Sequence, residues 1–383
     1  MNRKLFCFTA VSFFMVMSAL TPHLFAEDYK VGCLFSITGS ASWLGEPERN
    51  TAEMIAEEIN KAGGINGHKL KLYIEDTQGD NTRAVNATKK LIKKDKVCAI
   101  IGPSRSGTSM AVIPIVQAEQ IPLISCAGAE VIVEPVQERK WVFKTPQKDS
   151  DCVKRIYDHL TAKGIKDIGI ISGTTGFGTA GRDQLKAIAK EYGMNIVADE
   201  TYSPADTDMT AQLVKIRNSG AKALVNWSIV PAQSIVPKNM KQLKFDIPLY
   251  QSHGFGNVKY VEAAGPAADG IIFPGGRLLC VDSVSDDNPQ KAVLKQYRDA
   301  YEARFKDKVS TFGGHAYDSL WLVINALKAV GDDPAKIRDY LETSTLVGTG
   351  GVFKFSPTDH NGLDKNAFEM ITIKNGEFVV LKD

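Results

Sequence analysis

The chain has 383 residues, long enough for two ordinary domains. Its 46 Lys and Arg against 44 Asp and Glu give a formal charge of +2, an excess that Arg3 and Lys4 at the amino terminus account for. With 23% charged and 44% hydrophobic residues, it can build a sizeable core but lacks the footprint of a nucleic-acid binder, a polytopic membrane protein or a disulfide miniprotein.

Asn2-Arg3-Lys4 is a short basic region ahead of an apolar run from Leu5 to Leu20. Thr21-Pro22-His23 interrupts that run, and Leu24-Phe25-Ala26 precedes polar Glu27-Asp28. The pattern predicts a secretory signal over residues 1–26, cleaved after Ala26, and a soluble, exported mature protein. An uncleaved anchor is the alternative, but the run is short against the roughly 20 residues of a span. Cys7 falls in the leader, leaving Cys33, Cys98, Cys126, Cys152 and Cys280. None shows the Cys-x-x-Cys spacing of a metal site, so no metal is expected. Cys33 and Cys98 fall in apolar strand patterns, either as buried thiols or as a bridge between neighbouring strands.

From Tyr29 onward strands and helices alternate. A strand over 30–36 precedes a helix over 48–62 with Ala52, Ile55, Ala56 and Ile59 on one face. Gly63-Gly64 stops that helix, Asn66-Gly67 makes a turn, and Leu70, Leu72 and Ile74 then alternate with polar residues as in an edge strand. A helix over 82–94, a buried strand over 97–101, a helix from 107 and a strand over 122–125 complete a βαβαβαβ run, which implies a parallel sheet covered on both faces. After an extended segment over 141–147 the theme restarts, with strands expected over 168–172, 195–198, 223–227 and 248–251. The tail is different. Helices over 289–305 and 316–330 precede a stretch over 351–381 that reads as strands, with a hairpin at Asn375-Gly376. Such a tail divides between the two α/β units, so the chain crosses between them more than once, with 144–147, 273–276 and 348–351 as candidate crossings.

Enzyme signatures are missing: no Gly-x-Ser-x-Gly elbow, no His-Glu-x-x-His helix and no phosphate loop. Gly173-Thr-Thr-Gly-Phe-Gly178 lacks dinucleotide spacing and reads as a strand-to-helix turn. His68 falls in a turn, and His159 and His360 are expected at the surface. His253 and His315 fall where element ends would face a cleft. No catalytic residue is expected.

One loop carries a binding argument. Gly102-Pro-Ser-Arg-Ser-Gly-Thr-Ser109 follows a buried strand and opens a helix, and in open α/β sheets ligands collect beyond the carboxyl ends of strands. First-turn N–H groups with the Ser106 and Thr108 hydroxyls would suit a carboxylate, or Ser106 would simply cap the helix. Ser125-Cys-Ala-Gly-Ala129 ends the next strand; its small residues allow a ligand close to the backbone or serve tight packing. Trp43, Phe177 and Trp227 supply flat apolar surface, as core or as pocket wall.

Taken in order, Gly32-Cys-Leu-Phe-Ser-Ile-Thr-Gly-Ser40, Glu58-Ile-Asn-Lys-Ala-Gly-Gly-Ile65, the 102–109 loop and Ala316-Tyr317-Asp318 resemble the branched-chain amino-acid-type periplasmic solute-binding proteins of ABC transporters. The likeness spans essentially the whole mature chain. It implies the type I α/β fold: two doubly wound parallel-sheet lobes joined by three crossing segments, closing on a ligand like a flytrap. The lobes would be 27–145 plus 276–349 and 146–275 plus 350–383. The resemblance gives Ser106 as the carboxylate-binding serine and Ala127 as a backbone contact. Ala129 stands where amino-acid binders usually have threonine, Phe177 at an aromatic wall, and His253 where they place the acid that holds the ammonium. Those two departures point to an organic or aromatic acid lacking the amino group, with a branched-chain amino acid as the alternative. The expected site is thus Trp43, Ser106, Thr108, Ala127, Ala129, Phe177, Trp227 and His253. The implied partners are a small carboxylate ligand and ABC permease and ATPase subunits, with no cofactor, no nucleic acid and no stable membrane insertion, the chain acting as a periplasmic monomer. An extracytoplasmic sensor and a secreted hydrolase are the rival classes.

Overall fold

The computed structural model describes residues 26–382; apart from Ala26, the expected leader lies outside the described residues. The first unit is a parallel sheet. β1 (Ala26–Phe35), β2 (His68–Asp76), β3 (Ala99–Ile101), β4 (Leu123–Ser125) and β5 (Val142–Lys144) lie in the order β2-β1-β3-β4-β5. The first three crossovers run through α1 (Ser42–Lys61), α2 (Asn81–Lys90) and α3 (Ser106–Glu119). β1 is apolar on both faces because both are covered. Val31, Cys33 and Phe35 pack in one cluster with Ala52 and Ile55 of α1, while Leu34 packs in another with Ala84 of α2 and Val112 of α3. β2 alternates because it is an edge: Leu70 is buried between exposed Lys69 and Lys71.

α4 (Asp149–Ala162) leads from β5 to the second sheet, where β6 (Asp167–Gly173), β7 (Asn195–Tyr202), β8 (Ala223–Trp227), β9 (Leu249–Gln251) and β10 (Ile272–Gly276) run parallel in the order β10-β9-β8-β6-β7. Their crossovers are α5 (Gly176–Ala189), α6 (Thr210–Asn218), α7 (Ile235–Gln242) and α8 (Val258–Ala264). The chain then returns to the first unit through α9 (Lys291–Phe305), α10 (Thr311–Val330) and α11 (Pro334–Leu341). Leu294 and Tyr297 of α9 pack with Met54, and Leu320, Val323 and Ile337 join the cluster on one face of β1. β11 (Thr345–Val347) and β12 (Val352–Lys354) form a small ribbon. β13 (Phe368–Lys374) and β14 (Glu377–Val380) extend the second sheet antiparallel to β10. They are joined at Asn375-Gly376, whose φ values of 53° and 79° suit the expected hairpin. Among the described residues no helix is long and apolar enough to cross a membrane.

Some local expectations change. The helix expected over 82–94 ends at Lys90 and continues as a wider π turn, Leu91–Asp95. The tail is strand only over β12, β13 and β14. Phe353, Phe355, Leu363 and Ala367 pack with the first sheet, and Phe368, Met370 and Ile371 with the second. His360 is fully buried rather than at the surface, because its ring stacks on Phe143 at 4.2 Å and its Nδ1 donates to the Val142 carbonyl at 2.9 Å. His159 is half-buried, its Nδ1 2.7 Å from the Tyr250 hydroxyl. His68 opens β2 and stacks on Tyr29. All five cysteines of the described residues are free and buried, so Cys33 and Cys98 do not form a bridge.

Asp318 explains the Ala316-Tyr317-Asp318 motif structurally. Its carboxylate, fully buried on α10, accepts from Thr349 N at 2.6 Å, Gly350 N at 2.7 Å and Thr349 Oγ1 at 3.1 Å. Gln147 Nε2 donates to Gly350 O at 2.7 Å and Gln290 Nε2 to Gly348 O at 2.9 Å, so the 348–350 turn is tied to the 144–147 segment and to α9. Asp318→Asn puts an amide N–H against a backbone N–H in a site that water does not reach. It should lower stability by about 1–3 kcal/mol in urea unfolding; an unchanged midpoint would mean that the turn does not depend on this carboxylate.

Candidate functional site

The carboxyl ends of the two sheets face each other. In the first unit, β3 runs into Gly102, whose φ of +89° and approach to Leu34 O, 2.3 Å from where a Cβ would stand, admit only glycine. The turn delivers Ser106 as the first residue of α3 and not as its cap; Arg105 is the capping residue and makes no side-chain cap bond. Ser106 Oγ instead accepts from Ala129 N at 3.3 Å, tying the loop after β4 to the start of α3. Thr108 Oγ1 donates to Arg105 O at 2.8 Å.

In the second unit β6 runs into α5, capped by Thr175, which accepts from Gly178 N at 3.1 Å. The two helix starts meet. A Cβ on Gly176 would lie 2.8 Å from Gly107 N and 3.0 Å from Gly107 Cα. Around this contact is a cavity of about 330 Å³ lined by Gly79, Asp80, Asn81, Arg105 to Thr108, Thr174 to Phe177, Pro204 and Ile229. The first-turn N–H groups of both helices lack partners within their own helices and carry the positive ends of the helix dipoles. Arg105 adds a partly buried guanidinium whose Nη1 donates to Gly79 O at 3.2 Å; among the described residues no carboxylate forms a salt bridge with it. Such a cavity favours an anion.

Deeper in, Phe177 meets His253 edge-on at 5.2 Å, and Trp227 lies 5.8 Å from each of them. Two glycines give Phe177 its space: a Cβ on Gly128 would lie 2.8 Å from the ring and one on Gly254 2.9 Å from it. A second void of about 10 Å³ is lined by Cys126, Gly128, Pro146, Phe177, Ile229, His253, Gly254, Phe312 and His315, room for about one water-sized atom. Both ring nitrogens of His253 and Nδ1 of His315 are buried without a hydrogen-bond partner in the protein. Burial, helped by the charge of Lys144, holds His253 well below its ordinary pKa and pushes His315 down to about 3, so both are neutral. Lys144 itself is buried at the end of β5, where its Nζ donates to Pro146 O at 2.7 Å and Gln147 O at 3.1 Å. Burial pushes it down to about 8, opposed by Asp149, whose carboxyl burial raises to about 7.

Ser106, Thr108 and Phe177 line the larger cavity together, and Phe177 and His253 meet at the inner void. Ala127 and Ala129 are buried and line neither cavity; Ala129 reaches the site through its N–H to Ser106. Trp227 is wholly buried behind Phe177 and lines neither cavity. Trp43 stands at the seam between the units, its carbonyl accepting from Asn257 Nδ2 at 2.8 Å and its ring edge-on to Tyr260 at 5.2 Å. Sequence reasoning passed over Arg105, Phe312 and Lys144. It also read the 173–178 turn as structural only; that turn brings Thr174, Thr175 and Gly176 to the larger cavity.

The profile of the family described as "Periplasmic binding protein" matches residues 28–376. The chain is 24% identical over 358 residues to the leucine-, isoleucine-, valine-, threonine-, and alanine-binding protein of Pseudomonas aeruginosa, covering 93% of this chain and 90% of the relative. Among solved structures, an extracellular ligand-binding receptor from Rhodopseudomonas palustris HaA2 superimposes with a TM-score of 0.87 at 28% identity, over 92% of this chain and 99% of that one. The branched-chain amino acid transporter substrate binding protein LivJ from Streptococcus pneumoniae, in complex with isoleucine, does so at 0.81 and 28% identity, over 93% and 100%.

Proposed function

The chain belongs to the periplasmic binding protein family, and from that premise we propose that it captures a small carboxylate-bearing ligand between two lobes and delivers it, without chemical change, to the permease and ATPase subunits of an ABC importer. It is exported to the periplasm and acts there as a monomer. The lobes are residues 27–145 with 276–367, and 146–275 with 368–382. The third crossing is drawn at 367–368, where apolar packing passes from one sheet to the other, in place of 348–351.

The observation that carries the reading is the convergence of Arg105 and the starts of α3 and α5 on one cavity. It suits an anionic head group, whose capture draws the lobes together. A branched-chain amino acid is the second reading, favoured by what the relatives are named for. We favour an acid without the amino group, because among the residues lining the two cavities the one acid is Asp80, which already caps α2.

Ser106 supplies the test. Its oxygen is engaged by Ala129 N–H, so its own O–H is free to donate to a carboxylate. Ser106→Ala should weaken the binding of small acids by about 1–3 kcal/mol in calorimetric titration while the fold survives. Unchanged affinity in the folded variant would remove Ser106 from the site. Acids that bind no better than their amides would refute the carboxylate reading itself.

A further inference from the structure

Two imidazoles at the inner void are left over by this account. His253 is 7% exposed and His315 is 5% exposed, and three of their ring nitrogens are buried with no partner in the protein. Buried polar atoms are nearly always paired, so their partner is to be sought in what the void receives. We propose that His253 and His315 together receive a hydroxyl group at the end of the ligand opposite its carboxylate, which makes the substrate class a hydroxy acid. The inference rests on the carboxylate reading of the outer cavity and adds His315 to the site.

Three observations narrow the chemistry. The void is about 10 Å³, space for one oxygen-sized atom and not for the three heavy atoms of a second carboxylate. A neutral imidazole offers one donor and one acceptor. Two of them side by side are satisfied best by a group that both donates and accepts, as a hydroxyl does; a ketone oxygen only accepts and an ammonium only donates. An ammonium would also meet the positive field that Lys144 exerts on both rings. The path is given by Phe177 and Ile229, which border both the outer cavity and the void. A ligand with its carboxylate at α3 and α5 therefore reaches the imidazoles by passing these two side chains. Gly128 keeps the passage narrow and open, since a Cβ there would stand 2.7 Å from His253 Nε2.

The test is calorimetric titration of the whole chain with matched pairs: benzoate against 4-hydroxybenzoate and pentanoate against 5-hydroxypentanoate, with terephthalate, glutarate and the amides of the parent acids alongside. In at least one pair the hydroxy acid should bind ten times tighter than its parent. His315→Phe should bring that ratio below about threefold, and His315→Gln, which keeps a donor and an acceptor, should restore part of it. Equal binding within both pairs overturns the inference while leaving carboxylate binding intact, and this comparison on the unmodified chain stands even if a variant fails to fold. A dicarboxylate that outbinds the hydroxy acids overturns it too, as does a folded His315→Phe chain that keeps the full ratio. Acids that bind no better than their amides overturn the carboxylate reading, and this inference falls with it.

Discussion

Gly176→Val should cost ten- to a hundredfold in ligand affinity while both lobes stay folded. The position starts α5 at the point where it meets α3 of the other lobe, and a Cβ would stand 2.8 Å from Gly107 N, 3.0 Å from Gly107 Cα and 3.5 Å from the Ser106 carbonyl carbon. These are backbone atoms, so no rotamer change relieves the contact. The backbone of Gly176 is helical, with no positive φ to forbid a side chain. Valine there fits either lobe alone and strains only their approach, by about 1–3 kcal/mol as in other overpacked contacts. Apparent affinity falls with the fraction of molecules able to close. Other contacts share the seam: Thr311 N donates to Gly256 O at 3.0 Å, and Lys259 pairs with Glu46 at 3.5 Å and Asp307 at 3.7 Å. Removing an exposed pair of that kind should matter far less than a wedge between backbones. Small-angle scattering should show the valine variant more extended than the unmodified chain at saturating ligand; identical profiles with identical affinity would place the closing contact elsewhere.

The second large effect concerns what the cleft refuses. An α-amino acid needs donors for its carboxylate and an anionic acceptor for its ammonium, both desolvated when the lobes close. Arg105, Ser106, Thr108 and the first turns of α3 and α5 answer the first need. The second is poorly met. Among the residues lining the two cavities the one acid is Asp80, and its Oδ1 already accepts from Arg83 N at 2.8 Å as the cap of α2. Glu262 is exposed on α8 and lines a separate surface groove. His253, at the inner void, is kept neutral by burial and brings no negative charge. Leucine, isoleucine and valine should therefore bind at least tenfold more weakly than the matching keto acids, about 1.4 kcal/mol.

Much of the architecture could be read from the chain. Val31 to Phe35 of β1 and all of β3 are continuous apolar runs, and β8 is apolar but for Asn226, because helices cover both faces, and β2 alternates because it is an edge. What escaped were properties that depend on distant segments meeting. Nothing around Thr358, Asp359 and Asn361 announces that His360 will stack beneath Phe143, more than two hundred positions earlier in the chain. Leu363 and Ala367 look no different from the strand residues that follow, yet they pack with the other sheet. In the site, the 102–109 loop was legible because a helix start after a buried strand has one local meaning. Arg105 lay inside the quoted motif but gained weight only when the fold showed it beside α5 with no acid paired to it. His253 and His315 were placed near a cleft from their element ends. That three of their nitrogens share one small void is a matter of tertiary geometry.

The most direct measurement is calorimetric titration of the unmodified chain with leucine and with 4-methyl-2-oxopentanoate, which share a carbon skeleton and differ only at the α position. Binding of the keto acid at least tenfold tighter than leucine is the expected result, because the cleft provides for a carboxylate and offers an ammonium only Asp80, already the cap of α2. Tight binding of leucine, with the keto acid no better, would contradict it.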